Sequence, residues 1–247
     1  MVEKFSGKLI KLDRTKVVKI DANDKFDNFF LILGLIYNDF KSLIFYVALL
    51  KEHFGDKIDE KKPEVNVNFG EYSGMKTHLN KLMISTIYEF LMFLKNKSKV
   101  IESSEFKILS DKLFYKDKDW LQQIIDIANR NIESKTNFKK DSLSEMLYKI
   151  KNGGSFHYHS CDNNLRLGYI NHFYTRYKQD AGTEFAYYSE GNCMKDVRYF
   201  YCDAAFQGFT YTCGEYKDNI EKLKELGQKM NNVLSALMKL YIKDKEV

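Results

Sequence analysis

Pro63 is the single proline among 247 residues, so the chain contains few residues that break a helix. Apolar residues recur every three or four positions over 23–54, and Gly55 can end that run. The same amphipathic spacing is present over 79–94 and 216–241. These patterns predict a mainly α protein with long helices.

Shorter helical patterns lie between these segments. They cover 104–113 and 119–132, and Asp119 is a plausible N-cap of the second. A further helix begins near Asp141 or Ser142 and places its apolar residues on one face. The polar stretch 55–72 is expected to connect the first two long helices.

In two other segments, apolar and polar residues alternate as they do in β-strands. The first twenty or so residues alternate like a small hairpin, which predicts a β addition near the N-terminus. A second candidate hairpin lies around 184–202 and turns at Glu190-Gly191-Asn192. This region is rich in aromatic residues, which could stack unpaired bases beside Arg176 and Arg198, although packing across the strands is favoured.

Composition indicates one folded domain over 1–247. The chain is 44% hydrophobic and 30% charged, which is too apolar for disorder and sufficient for a core. We divide the domain as follows: an N-terminal hairpin at 1–22, a helical bundle at 23–175, an aromatic-rich insert at 176–213 and a C-terminal helix at 214–247.

Charge and cysteine spacing bear on location and partners. A formal charge of +5 permits an anionic partner but is mild beside dedicated nucleic-acid binders. The four cysteines lack C-x-x-C spacing and the N-terminus lacks a signal peptide, so we expect a reduced cytoplasmic protein with buried thiols. We expect no membrane span, because Asn38, Asp39 and Lys41 interrupt the apolar run.

Metal and cofactor motifs are missing from the sequence. His157, His159 and Cys161 alternate along the chain and are residue types that bind zinc, but no second ligand pair follows at finger spacing. The chain also has no phosphate-binding P-loop, dinucleotide-binding glycine motif, nucleophile elbow or metalloprotease helix. We therefore expect no metal and no cofactor.

The segment 151–158, Lys-Asn-Gly-Gly-Ser-Phe-His-Tyr, places a cation, an amide and an imidazole close together at a helix end. A cation can stabilise the charge that develops on phosphate, and a histidine can transfer protons near neutral pH. The alternative is a purely structural role. Lys151 would then be a solvated residue facing the negative end of the helix dipole, and His157 would form hydrogen bonds with backbone groups at a helix end.

This segment resembles the motif of the HEPN superfamily, in which an Arg, usually followed by a polar residue, precedes a His by four to six positions. Lys151 stands where the Arg belongs, Asn152 is the polar neighbour and His157 closes the motif. The resemblance implies a helical bundle that forms a homodimer, with two motifs facing one cleft. It implies RNA cleavage without metal, in phage defence or a toxin–antitoxin system.

The resemblance also implies residue roles. His157 would be the general acid or base, Lys151 would stabilise the charged phosphate and Asn152 would orient it. Tyr158 and His159 would assist around them, and Arg166 and Arg176 are further candidates for RNA contact.

A second function is open at the sequence level. An ammonium lacks the planar fork with which a guanidinium holds phosphate. The alternative is a non-catalytic HEPN-like module that binds a partner protein, a nucleotide or RNA.

Overall fold

The fold is mainly α, as the sequence predicts. The computed structural model describes residues 23–55, 67–131, 142–152, 162–175, 187–213 and 216–245. Among them it contains no strand, and its α-helices are α1 Lys25–Phe54, α2 Val67–Asn96, α3 Ser98–Ile101, α4 Ser104–Asp111, α5 Tyr115–Asn131, α6 Ser142–Ile150, α7 Asp162–Gly168, α8 Phe200–Thr212 and α9 Tyr216–Lys245. A π-helix at Tyr169–Tyr174 and a short 3₁₀ turn at Met194–Asp196 are also present.

The chain divides into two compact units. The first contains Met1–Lys41, Phe90–Glu133 and Leu226–Val247, and the second contains Ser42–Glu89 and Ser134–Glu225. The prediction of one domain over 1–247 stays a prediction.

The first unit has an aromatic core. Phe29 and Phe30 in α1 are buried, at 1% and 0% exposure. The ring of Phe29 stacks on Phe93 of α2 with centroids 5.0 Å apart and meets Phe106 of α4 edge-on at 5.7 Å. Phe30 stacks on Tyr241 of α9 with centroids 4.3 Å apart. These contacts join four helices through large aromatic rings, all buried except that of Phe93, which is half-buried.

A buried acidic residue lies beside this core. Asp27 in the first turn of α1 is 1% exposed, and its Oδ1 accepts a hydrogen bond from Tyr241 Oη at 3.0 Å. Lys245 Nζ lies 2.6 Å from the same oxygen. Burial raises the pKa of Tyr241, as does its bond to Asp27, and the bond with Asp27 raises the pKa of Lys245. Asp27 of α1 therefore connects this helix to α9 through Tyr241 and Lys245.

In the second unit, α7 and the π-helix after it pack closely against α8. A Cβ placed on Gly168 would lie 2.2 Å from the carbonyl oxygen of Ala205 and 2.5 Å from the amide nitrogen of Phe209. Both atoms belong to the backbone of α8, so no side-chain rotation could relieve the contact. Glycine at 168 is what permits the two helices to approach.

We expect Gly168→Ala to destabilise the second unit by about 2 kcal/mol, because overpacking against backbone outweighs alanine's higher helix propensity. Urea unfolding followed by circular dichroism measures the change. Gly55→Ala is the matched control, since a Cβ there meets nothing within 4 Å. Equal stability of the two variants would show that α7 and α8 do not pack this closely.

Several predicted boundaries were wrong. Helix α2 begins at Val67, inside the stretch 55–72 that was expected to be a connection. Asp119 lies one turn inside α5, where its carboxylate accepts a hydrogen bond from Gln123 at 2.7 Å instead of capping the helix. A charged side chain can serve the helix interior by such an i,i+4 bond as readily as its end.

The second hairpin was also wrong in its described part. Ser189 and Arg198 form one isolated antiparallel bridge, and α8 already begins at Phe200. A strand pair needs a longer ladder than the helix leaves room for. The N-terminal hairpin at 1–22 lies outside the described residues.

Helix α1 is, by length and composition, also long and apolar enough to cross a membrane. Its most apolar 18-residue window has mean hydropathy 1.5, and 22% of that window is buried. Core helices of water-soluble proteins can have the same length and composition. In α1, Phe29 and Phe30 are core residues, whereas Leu35 is 63% exposed. The expectation of no membrane span stays a prediction.

Candidate functional site

The motif begins where α6 ends. The apolar face of α6 is buried as predicted, through Leu143, Met146, Leu147 and Ile150, and both Met146 and Ile150 are fully buried. A wider π-type turn follows at Lys151 and Asn152. Such turns displace side chains from the regular helical register and are frequent at functional sites. The side chain of Lys151 is 23% exposed, so it lies at the edge of the buried face.

The ammonium of Lys151 has two neighbours on α2. Its Nζ lies 2.9 Å from Glu89 Oε1 and 5.1 Å from the centroid of the Tyr88 ring. The side chain of Glu89 is 59% exposed, so water reaches the ion pair. An exposed pair of this kind contributes about 1 kcal/mol or less. A phosphate could therefore displace Glu89 at small cost.

Asn152 contacts the same tyrosine. Its side chain forms a hydrogen bond with Tyr88. Burial raises the pKa of Tyr88, while the charge of Lys151 and the bond with Asn152 oppose that rise. The phenol thus stays protonated at neutral pH and can donate a hydrogen bond. Tyr148 of α6 lies beside it, with ring centroids 6.4 Å apart.

We call Tyr88, Glu89, Tyr148, Lys151 and Asn152 the α2–α6 cluster. It combines a cation, an amide, a carboxylate and two phenols on the described part of the chain. Cations and neutral donors of this kind can hold an anionic oxygen.

The structure brings together Lys151 and Asn152 among the predicted site residues. Arg166 is exposed on α7. His157, Tyr158, His159 and Arg176 lie outside the described residues.

The sequence did not identify Tyr88 and Glu89 as site residues. They follow the buried Ile87 and precede the buried Phe90, so the helical pattern places them at the margin of an apolar face. That margin is a signal, but the pattern does not indicate which helix lies opposite.

The cysteines give a different result from the sequence expectation. Cys213 is buried, which raises its pKa to about 11, but Cys193 and Cys202 are exposed, so the prediction of buried thiols was wrong for those two. Within the described ranges, no group of three or more His, Cys, Asp and Glu could hold a metal ion. His157, His159 and Cys161 lie outside those ranges.

The aromatic segment packs on itself. Tyr187 stacks on Tyr201 with centroids 4.4 Å apart and an angle of 8° between the rings. Arg198 Nε lies 2.8 Å from Asp203 Oδ2, and its Nη1 lies 3.3 Å from Glu71 Oε2. Aromatic packing was the favoured interpretation, and here it occurs between a loop and α8 instead of between strands.

Comparison with known proteins adds no relative. No family model matches the chain, and no curated protein or solved structure matches it.

Proposed function

We propose that this chain is a metal-independent endoribonuclease of the HEPN type. The observation that supports the proposal is the convergence of Lys151 and Asn152 on Tyr88, at a partly exposed helix end. The two side chains are adjacent in the motif and approach the same phenol. Together they can hold a phosphate oxygen, and the segment that contains His157 follows them directly in the sequence.

The proposed reaction is attack of a ribose 2′-hydroxyl on the neighbouring phosphorus. The 2′-oxygen forms a bond to phosphorus, the bond to the 5′-oxygen breaks, and a 2′,3′-cyclic phosphate and a 5′-hydroxyl result. His157 accepts the 2′ proton or donates a proton to the leaving oxygen. Lys151 stabilises the charge on the pentacovalent phosphate, and Asn152 orients it.

The ion pair of Lys151 with Glu89 sets a condition on this mechanism. The ammonium must exchange a carboxylate for a phosphate, and the Tyr88 ring keeps it in place meanwhile through a cation–π contact. An RNA phosphate bound there gains a contact with the Lys151 ammonium, and the solvent-exposed ion pair of Lys151 with Glu89 is lost. Glu89 thus tunes phosphate affinity.

The remaining features of the proposal extend the resemblance. Two copies form a homodimer whose motifs face one cleft, and Tyr158, His159, Arg166 and Arg176 assist around the scissile phosphate. The protein acts in the cytoplasm, in phage defence or as the toxin of a toxin–antitoxin pair, where an antitoxin protein is its partner.

The test is incubation of purified protein with mixed cellular RNAs in EDTA. Wild type should cut RNA and leave 2′,3′-cyclic phosphate ends, and His157→Ala should lower the rate by about 10²-fold. His53→Ala is the matched control, because His53 lies at the end of α1 outside the motif. Cleavage that persists unchanged in His157→Ala would remove the histidine from the mechanism.

A non-catalytic HEPN-like binding module is the second candidate. The observation that favours it is that Lys151 already has a carboxylate and an aromatic ring as neighbours, and that it is a lysine in place of arginine. A protein that is monomeric by light scattering and cuts no RNA in EDTA would support this function. Its ligand is then a partner protein, a nucleotide or RNA.

A further inference from the structure

The second unit contains a cavity that the proposed nuclease function does not use. Its volume is about 810 Å³, and its walls come from the C-terminal part of α1, from α2, α7 and α8, and from Arg198. Sites for small organic ligands typically have volumes of roughly 300 to 1,000 Å³. The cavity therefore has the size of a ligand site.

The walls are mostly apolar. Leu49 and Phe54 of α1, Leu79 of α2, Leu165 of α7 and Phe206 of α8 are among the lining residues. Phe54 and Phe206 are buried, at 6% and 8% exposure. An occupant with a hydrocarbon or aromatic body would bury its apolar surface here, which favours binding through the hydrophobic effect.

The charged lining groups favour an anion. Lys81 and Arg198 are the cations among the lining residues and Asp203 is the carboxylate; Glu71, which also pairs with Arg198, does not line the cavity. Lys81 is only 9% exposed, and its Nζ lies 4.7 Å from the centroid of the Phe206 ring. A charge so removed from water interacts more strongly with an incoming ion than a surface charge does.

Arg198 is fixed in its position. Asp203 and Glu71 hold its guanidinium, and a Cβ on Gly74 would lie 2.2 Å from its Nε, so the side chain rests directly on the backbone of α2. A cation positioned in this way before binding loses little freedom when a ligand arrives. The polar part of the wall is therefore preorganised.

The pKa of His78 is also affected by the charges that line the cavity. Burial lowers its pKa, and the charges of Lys81 and Arg198 lower it further, against an opposing effect of Asp203. The imidazole faces a net positive environment, which an anion would neutralise.

We propose that this cavity binds a fatty acid, whose chain occupies the apolar walls and whose carboxylate lies by Lys81 and Arg198. The combination of a large apolar volume with two cations and one carboxylate among the lining residues fits an amphipathic monoanion. Such a site does not depend on the motif or on RNA cleavage.

Titration of the full chain with decanoate, below its micelle concentration, tests the proposal by calorimetry. Decanoate should bind, 1-decanol should bind at least tenfold more weakly, and acetate should not bind measurably. Lys81→Met keeps the aliphatic stem and should weaken decanoate binding about tenfold without weakening decanol. Equal affinity for decanoate and decanol, or no binding of decanoate, would overturn the proposal.

Lys76→Met is the matched control. Lys76 lies on the same helix, over the ring of Tyr72, and does not line the cavity. It should bind decanoate as wild type does. Decanoate should also raise the pKa of His78, followed by NMR, whereas binding elsewhere would leave that pKa unchanged. This second readout holds even if Lys81→Met fails to fold.

Discussion

Replacing Lys151 by alanine should lower RNA cleavage in EDTA by about 10²- to 10³-fold, the usual effect of losing one donor to a developing oxyanion. The ammonium is the group of the α2–α6 cluster that can offset a growing negative charge, and its neighbours are the Glu89 carboxylate and the Tyr88 ring. Circular dichroism of the variant should match wild type, because a pair that is 23% and 59% exposed contributes little stability. Single-turnover rates on a defined RNA measure the effect.

Lys149→Ala is the control for a general loss of positive charge. Lys149 lies on the same helix and pairs with Glu145 at 2.6 Å, two residues before Lys151. It should cut RNA at the wild-type rate. If both variants lose activity equally, the effect is long-range attraction of RNA and Lys151 has no special position.

Two further substitutions separate charge from geometry at this position. Lys151→Arg should retain activity, since a guanidinium restores the residue type of the HEPN motif and holds phosphate with a planar fork. Glu89→Gln should tighten RNA binding, because it removes the carboxylate that shares the ammonium. Weaker binding in Glu89→Gln would mean that Glu89 positions Lys151 and does not compete with phosphate.

The fold was predictable where the spacing of apolar residues along the sequence indicates which face of a helix is buried. The apolar repeat over 23–54 indicated a core helix, and Phe29, Phe30 and Leu33 are buried in α1. The start of α2 was not predictable, because residues such as Asn68 and Glu71 give no apolar repeat there, and their helical state depends on tertiary partners. Glu71, for example, meets Arg198 far along the chain.

The candidate site was predictable only on one of its two helices. Spacing places Lys151 at the edge of an apolar face, and its side chain is 23% exposed. The pairing of that residue with Glu89 and Tyr88 depends on how α6 lies on α2, and amphipathic patterns define faces without defining their partners. The cavity by Lys81 and Arg198 was missed for the same reason, since its walls come from four helices.

Asp27→Ala should destabilise the first unit by about 2 to 3 kcal/mol, because the buried hydroxyl of Tyr241 loses a charged acceptor, whereas Lys245, whose side chain is 29% exposed, stays in contact with water. Asp27 is 1% exposed and accepts from Tyr241 at 3.0 Å, and Lys245 lies 2.6 Å from the same oxygen. Its removal leaves the buried hydroxyl of Tyr241 without that acceptor and Lys245 without that carboxylate. Urea unfolding followed by the fluorescence of Trp120, the single tryptophan of the chain, reports on this unit.

Two controls apportion the loss. Tyr241→Phe keeps the stacking on Phe30 and removes only the hydroxyl, so it should cost about 1 kcal/mol. Asp244→Ala removes a carboxylate from the same helix, but its pair with Lys112 is about half exposed, so the cost should stay below about 1 kcal/mol. If Asp27→Ala costs no more than Asp244→Ala, Asp27 is solvated and does not hold α1 to α9. A large loss in Asp27→Ala together with small losses in both controls would instead locate the stability in the buried carboxylate, which serves Tyr241 and Lys245 at once.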